Sequence, residues 1–307
     1  MTRVVVIGNA TVDIIQRVER FPLPGETLLC DAMVVCAGGK GLNQAIASAR
    51  TGTPTLLRAP ASADANGDLL ARAVAAEAGL DADWLATAPP TDISTIWIDA
   101  DGENVIVSSV AAAAAMEPAH AIAACAALGD GDVLLVQGNL SEATTAAAIG
   151  RAQANGARIV LNTAPMRPWM GSLLAAVDVV VANALEAAQL AGNASDSEAA
   201  LLVAGAGAVV VSRGRGGAVL ATDRGRWVVA ATAVAAVDTA GAGDVMTGTL
   251  AGLLAQGVGI AAALEVAVAA ASLSVTRSGT TASFPSRAEI AGLRATPANG
   301  AQKRCRA

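Results

Sequence analysis

Histidine and paired cysteines are nearly missing from this sequence, and that removes whole classes of chemistry. His120 is the only histidine, and Cys30, Cys36, Cys125 and Cys305 show no C-x-x-C spacing, so no zinc set can be assembled. The thiols read as reduced and mostly structural. Basic runs are missing too, apart from the short tail Lys303 to Arg306, and the net charge is −6, which argues against a nucleic-acid surface. Arg213-Gly214-Arg215-Gly216-Gly217 resembles an RNA-binding fragment, but one copy after a strand reads more economically as a turn. No charged region followed by an apolar core and a small-residue cleavage site opens the chain. Val4 to Ile7 lead straight into Gly8, as a first buried strand would, and the expected location is the cytoplasm.

Long apolar runs are also scarce. Hydrophobic residues make up 54% of the chain, but much of that is alanine, which is small and favours helix. The stretch Thr249 to Val275 has only Gln256 and Glu265 as strongly polar residues, and read alone it is long enough to span a bilayer. Gly257 and Gly259 interrupt it where a helix C-cap and turn would fall, so two buried helices are expected and no membrane partner. The length of 307 residues suits one large α/β core with a smaller appendage.

β-Branched runs recur at Val4–Ile7, Val133–Val136, Ile159–Leu161, Val177–Val181 and Val209–Val211, separated by alanine-rich stretches long enough for helices. That alternation predicts a mainly parallel sheet with helices on both faces. Ile93 to Ser109 differs: Ile96, Ile98, Val105 and Val107 flank the turn Asp101-Gly102, which predicts an antiparallel hairpin. Between Ile14 and Val35, Pro22, Pro24 and Gly25 break any helix, and the flanks can supply further strands. These pieces suggest a small sheet used as a lid, and the tail from about Pro297 is expected to be loose.

The strongest chemical signal is Asp238-Thr239-Ala240-Gly241-Ala242-Gly243-Asp244, followed by apolar residues at helical spacing. A glycine-rich turn entering a helix offers unpaired N–H groups and the positive end of the helix dipole, so Gly241 to Gly243 can hold phosphate oxygens. Asp244, in the first turn, can then accept a proton from an attacking hydroxyl, or it merely caps the helix. A second glycine turn, Gly38-Gly39-Lys40-Gly41-Leu42-Asn43-Gln44-Ala45, contains one of only two lysines in the chain. Lys40 and Asn43 suit an anionic or hydroxyl-rich ligand, or form a solvated helix start. Asn183 and Glu186 follow a strand and suit water-mediated magnesium or phosphate contacts; on the residues alone a helix-start pair is favoured. There is no G-x-x-x-x-G-K-[ST], and the dinucleotide fingerprint lacks its third glycine.

Taken in order and at these distances, the motifs resemble the ribokinase branch of the PfkB sugar-kinase family. The likeness spans nearly the whole chain, including Phe21-Pro22-Leu23-Pro24-Gly25-Glu26-Thr27, the Gly38–Ala45 loop, Gly102-Glu103-Asn104-Val105-Ile106, Asn162 with Ala164-Pro165, Asn183 with Glu186, Asp238–Asp244 and Val275-Thr276-Arg277-Ser278-Gly279. The resemblance implies one ribokinase-like catalytic domain over residues 1–307, an α/β Rossmann-like three-layer sandwich with a central, mainly parallel sheet. It also implies a β lid, built from about 14–37 and 92–110, that often pairs in a homodimer. Asp244 is then the base, with Gly241, Ala242 and Gly243 as the anion hole. Thr11, Asp13, Gly39, Lys40, Gly41, Asn43 and Asn139 match sugar-site positions. Asn183, Glu186, Val268 and the turn Ser212, Arg213, Gly214, Arg215, Gly216, Gly217 match the nucleotide site. Asp238, Ala240, Ser274, Arg277, Gly279 and Ser283 match the site of a monovalent cation. ATP, Mg2+ and K+ are the implied cofactors, and a sugar or nucleoside the implied substrate.

The chain departs from the family pattern near the sugar. Thr11 stands in place of an asparagine, Ala111-Ala112-Ala113 in place of Gly-Ala-Asn, and Asn139 in place of a glutamate. Losing hydrogen-bond partners for particular hydroxyls counts against ribose and leaves room for a nucleoside against Ala112 and Ala113. A non-catalytic sugar- or nucleotide-sensing protein is the rival from another class, and it would need a broken base or anion hole.

Overall fold

Apolar runs without alternation suit strands buried on both faces. In the computed structural model, which describes residues 2–101 and 103–295 and the backbone of 303–305, they form the middle of one large sheet. The strands are β1 (Val4–Ile7), β2 (Thr11–Arg17), β3 (Ala32–Gly38), β4 (Thr55–Ala61), β5 (Leu80–Ala86), β6 (Ile93–Ile98) and β7 (Asn104–Ser108). They continue with β8 (Val133–Val136), β9 (Arg158–Asn162), β10 (Val179–Asn183), β11 (Ala208–Ser212), β12 (Ala218–Thr222), β13 (Gly225–Val229) and β14 (Lys303–Cys305). The ten-stranded sheet runs β14-β13-β12-β11-β10-β9-β8-β1-β4-β5, parallel from β5 to β11 and antiparallel beyond.

Successive strand residues point to opposite faces, and the core divides accordingly. Val4, Val6, Val133 and Leu135 belong to one buried cluster, while Val5, Ile7, Leu134 and Val136 belong to the other. The helices covering these faces are α1 (Lys40–Ala49), α2 (Ala65–Ala75), α3 (Ala111–Ala114), α4 (Pro118–Ala124), α5 (Glu142–Ala154), α6 (Ala184–Leu190), α7 (Ser197–Val203), α8 (Ala242–Ala255), α9 (Ile260–Ser274) and α10 (Arg287–Ala295). The long apolar stretch is the pair α8 and α9, turned at Gly257 with φ +77°. Among the described residues no helix is long and apolar enough to cross a membrane.

A second sheet of four strands, in the order β3-β2-β6-β7, stands apart from the first; β2 and β6 are parallel and the other pairs antiparallel. β6 and β7 form the expected hairpin, whose turn residue Gly102 lies outside the described residues.

Two expectations need correction. The strand expected at Val177–Val181 starts at Val179. Val177 still closes the preceding 3-10 segment by donating to Leu174 O, and Asp178 spends a carboxylate oxygen on Ile159 N. The loose tail falls largely outside the described residues, but Lys303–Cys305 pairs with β13, whose edge would otherwise present unpaired backbone groups.

α1 and α8 pack unusually close. A Cβ on Gly248 would lie 2.3 Å from Gln44 O, and one on Gly252 would lie 2.5 Å from Thr51 Oγ1. These glycines are one helical turn apart on one face of α8. Their missing side chains let the two helices meet backbone to backbone, which brings the start of α8 against α1.

Candidate active site

The N-terminus of α8 is built by a left-handed glycine turn. Gly241 is the N-cap with φ +76°, a conformation that glycine adopts without steric cost, and a Cβ there would lie 2.7 Å from the Phe284 ring. Phe284 is itself held through its carbonyl by Arg50 Nη1 at 2.8 Å, and Arg50 is ion-paired with Glu77. A Cβ on Gly243 would meet nothing within 4 Å, so this residue faces open space.

Asp244 is buried in the first turn, yet it does not cap the helix; both carboxylate oxygens look across to α1. Asn43 Nδ2 donates to Oδ2 at 3.0 Å, Gln44 Nε2 donates to Oδ1 at 2.9 Å, and Lys40 Nζ lies 3.8 Å from Oδ1. The two glycine motifs, some 200 residues apart in sequence, thus share one carboxylate. One small ligand can touch both.

Asp13 lies on β2, also buried, with Thr11 Oγ1 donating to its Oδ1 at 2.8 Å. A Cβ on Gly38 would lie 2.0 Å from Asp13 Oδ2, so the absence of a side chain there makes room for the carboxylate. Burial pushes the Asp13 carboxyl up to about 6, against the bonds from Thr11 and Ser94, and the nearby Asp244 charge adds to the rise. Gly39, with φ +92°, and Gly41 bring the start of α1 against Ala10, Thr11 and Asn9, where any Cβ would clash with backbone. Asn43 Oδ1 and Asn139 Oδ1 are buried without a partner in the protein. Unpaired acceptors of this kind call for donors from a ligand, such as hydroxyls. Ala112 and Ala113, by contrast, are packed inside with their N–H groups donating to Asp92, and offer a ligand no apolar wall.

Beside Gly243 opens a cleft of about 540 Å³, lined by Ser212, Gly214, Arg215, Gly217, Met246, Val268 and Ser272 among others. Its walls are chiefly apolar, and Thr239, Ala242 and Gly243 of the glycine turn line it. Arg213 turns away to pair with Glu198 at 2.8 Å, and Gly216 completes the turn by donating to Arg213 O. Asn183 neighbours Ser212 across the sheet, but its side chain accepts from Glu186 N at 2.8 Å while Glu186 Oε2 accepts from Asn183 N and Thr163 Oγ1. The pair is a capping box, the reading that the residues alone favour.

Of the residues matched to a cation site, Asp238, Ala240 and Gly279 come together: the Asp238 carboxylate accepts from Ala240 N at 2.9 Å and Gly279 N at 3.1 Å. Ser274 and Ser283 hydroxyls donate to carbonyls of their own segments, and Arg277 is ion-paired with Glu289. Among the described residues no group of three His, Cys, Asp or Glu could hold a metal ion. Two residues at the site were not singled out from sequence, Gln44 and Gln137. The signal for Gln137 is its place, a polar residue at the carboxyl end of a central apolar strand.

A parallel sheet whose strand ends meet two glycine turns beneath a separate β sheet defines a class, the ribokinase-like α/β fold. The model of the pfkB family carbohydrate kinases matches residues 1–287. A ribokinase of Bacillus subtilis strain 168 is 30% identical over 294 residues, covering 95% of this chain and 99% of that protein. A deoxyribokinase of Salmonella typhi is 30% identical over 293 residues, covering 92% and 95%. The structure of Arabidopsis thaliana ribokinase complexed with ribose and ATP superposes with a TM-score of 0.85 at 27% identity, covering 97% of this chain and 100% of that one. The chain belongs to the pfkB family of carbohydrate kinases, and it is a sugar kinase of the ribokinase type.

Proposed function

We propose that the protein transfers the γ-phosphoryl group of ATP to a hydroxyl of a pentose-like sugar, with Asp244 accepting the hydroxyl proton. The observation that carries this is the position of Asp244, between a glycine turn that lines a nucleotide-sized cleft and the Lys40–Asn43 turn. The relatives named ribokinase and deoxyribokinase make ribose and 2-deoxyribose the first sugars to try.

In this reading the nucleotide lies in the cleft along Ser212–Gly217 and Val268, with its terminal phosphate over the amides of Gly241 to Gly243. Amides fixed at a helix start stabilise charge without reorganising during the reaction. Lys40 adds a compact positive charge beside the transferring group, and Asp13 and Asn43 hold the sugar so that one hydroxyl points at Asp244. Asp244 takes the proton as the hydroxyl attacks in line. Mg2+ supplies charge neutralisation on the phosphates and would arrive with the nucleotide, since the described residues form no carboxylate cluster for it and magnesium needs few protein ligands. K+ fits the loop that Asp238 ties together, where backbone carbonyls near Ala240 and Gly279 would hold it. The small sheet closes over the sugar and keeps water from accepting the phosphoryl group. Its face away from Asp13 exposes Met33, Val35, Val105 and Val107, which suits pairing with a second copy of the chain.

The test is an ADP-release screen with Mg·ATP, with and without K+, over pentoses, deoxypentoses, hexoses and nucleosides. Sugar-dependent ADP release is expected with at least one pentose and increases with K+. Release with nucleosides alone, or with no acceptor tried, contradicts the proposal.

A further inference from the structure

Asp244 is gripped from behind as well as from the sugar side. Gln44 is fully buried on α1, and its Nε2 donates to Asp244 Oδ1 at 2.9 Å and to Asn162 Oδ1 at 3.3 Å. Asn162 donates in turn to Val181 O at 3.2 Å, which anchors the group to the central strands β9 and β10. The remaining polar atom of Gln44, Oε1, accepts from Gln137 Nε2 at 2.9 Å. An ionised carboxylate only accepts, so Gln44 must turn its NH2 to Asp244 and its carbonyl to Gln137. Asp244 imposes that orientation, and the Gln137 Nε2 donor on Oε1 holds Gln44 in it. The Oε1 of Gln137 itself is buried without a partner in the protein and lies 2.1 Å from where a Cβ on Gly8 would be. An unpaired buried amide oxygen is destabilising, and a leucine would fill the same space without that cost. The retained amide and the glycine that admits it point to a role for the Nε2 donor.

We infer that Gln44 and Gln137 form an amide chain that positions the base: Gln44 aims the Asp244 carboxylate, and Gln137 fixes the orientation of Gln44. The inference rests on Asp244 as the base of the proposed reaction. Both glutamines are positioning residues: Gln44 acts through the Asp244 carboxylate that it holds, and Gln137 acts through Gln44. The charged groups facing the chain are Asp244 of α8 and Lys40 of α1, with Asp13 of β2 beyond them.

Gln44→Leu, Gln137→Leu and Gln137→Glu separate orientation from packing. For the two leucine variants kcat with the best sugar falls about 10- to 100-fold while the KM for ATP stays within about twofold. Gln137→Glu is nearly isosteric. As a carboxylic acid it donates to Gln44 Oε1, and as a carboxylate it cannot. Its kcat therefore falls as pH rises through a range where the wild type is flat, whereas a purely structural Gln137 gives a loss that does not vary with pH. Side-chain amide resonances of protein labelled with nitrogen-15 glutamine read the chain without turnover. The Gln44 pair, assigned by its loss in Gln44→Leu, moves in Asp244→Asn and in Gln137→Glu. Wild-type kcat in Gln44→Leu, or a Gln44 resonance that ignores both substitutions, overturns the amide chain. A wild type inactive on every sugar overturns the kinase reading instead, and the resonances then decide the chain alone.

Discussion

The start of α8 and the small sheet face each other across the candidate site but are built in opposite ways. Around Asp244 every element is pinned: glycines bring α1 and α8 into backbone contact, Gly241 sits against Phe284, and amides hold both carboxylate oxygens. The small sheet has one face that carries Asp13 and another that exposes Met33, Val35, Val105 and Val107. Chemistry that depends on positions within fractions of an ångström sits where packing forbids movement. In the proposed reaction, recognition and closure fall to the small sheet. Asp13 and Gly38 belong to the small sheet while Lys40 and Asn43 belong to the core, so a bound sugar would join the two regions.

Substitutions break that comparison in graded ways. The largest expected effect comes from Gly243→Leu. Its side chain would occupy the open space over the glycine turn, so kcat/KM for ATP falls about 10³-fold while the melting temperature stays close to wild type, because a Cβ there meets no protein atom. Steady-state kinetics beside calorimetry check both halves.

Asp13→Asn comes next, and it should trade activity for stability. Sugar kcat/KM falls about 100-fold with the loss of a charged acceptor, yet the free protein becomes more stable at neutral pH. Burial raises Asp13 from the ordinary 3.8 to about 6, so the folded protein holds this proton more tightly than the unfolded chain does. That contribution is complete below about pH 4 and is lost as pH rises through about 6, on the order of 3 kcal/mol, and the variant escapes the loss. Denaturant midpoints from pH 4 to pH 8 should diverge in that window. Curves that stay parallel would contradict the burial argument.

Gly248→Val tests the rigid side. Its Cβ meets the Gln44 backbone, so stability falls by about 1–3 kcal/mol and kcat falls with it through displacement of α1. The smallest effect on the single chain comes from Val107→Lys on the outer face of the small sheet: the melting temperature hardly changes, and analytical ultracentrifugation shows a shift from dimer toward monomer.

Much of this architecture was legible in the residues. β1, β8 and β11 appear as unbroken apolar runs because both of their faces are covered, and the α8–α9 break appears at Gly257 because the turn there needs φ +77°. The two glycine motifs announced themselves, but only the family resemblance implied that they meet; the residues alone did not show how. Their meeting depends on Gly248 and Gly252, which in sequence look like ordinary helix-weakening residues. Gln44 was hidden for a related reason. Polar residues on an alanine-rich helix suggest a solvated face, whereas α1 is buried along almost its whole length. Asn183 and Glu186 show the opposite case, since a strand-end Asn with a Glu three residues on is a helix cap first. Ala112 and Ala113 looked like an apolar wall of the pocket, but Asp92 draws their amides inward.

In the proposed reaction Asp244 takes the proton of the accepting hydroxyl. The direct measurement is single-turnover phosphoryl transfer by Asp244→Asn in a rapid-quench experiment, at saturating ATP and sugar, alongside nucleotide affinity. With Asp244 as the base, the chemical step slows by about 10²- to 10⁴-fold while ATP binds as it does to the wild type. A transfer rate equal to that of the wild type would show that the proton leaves by another route.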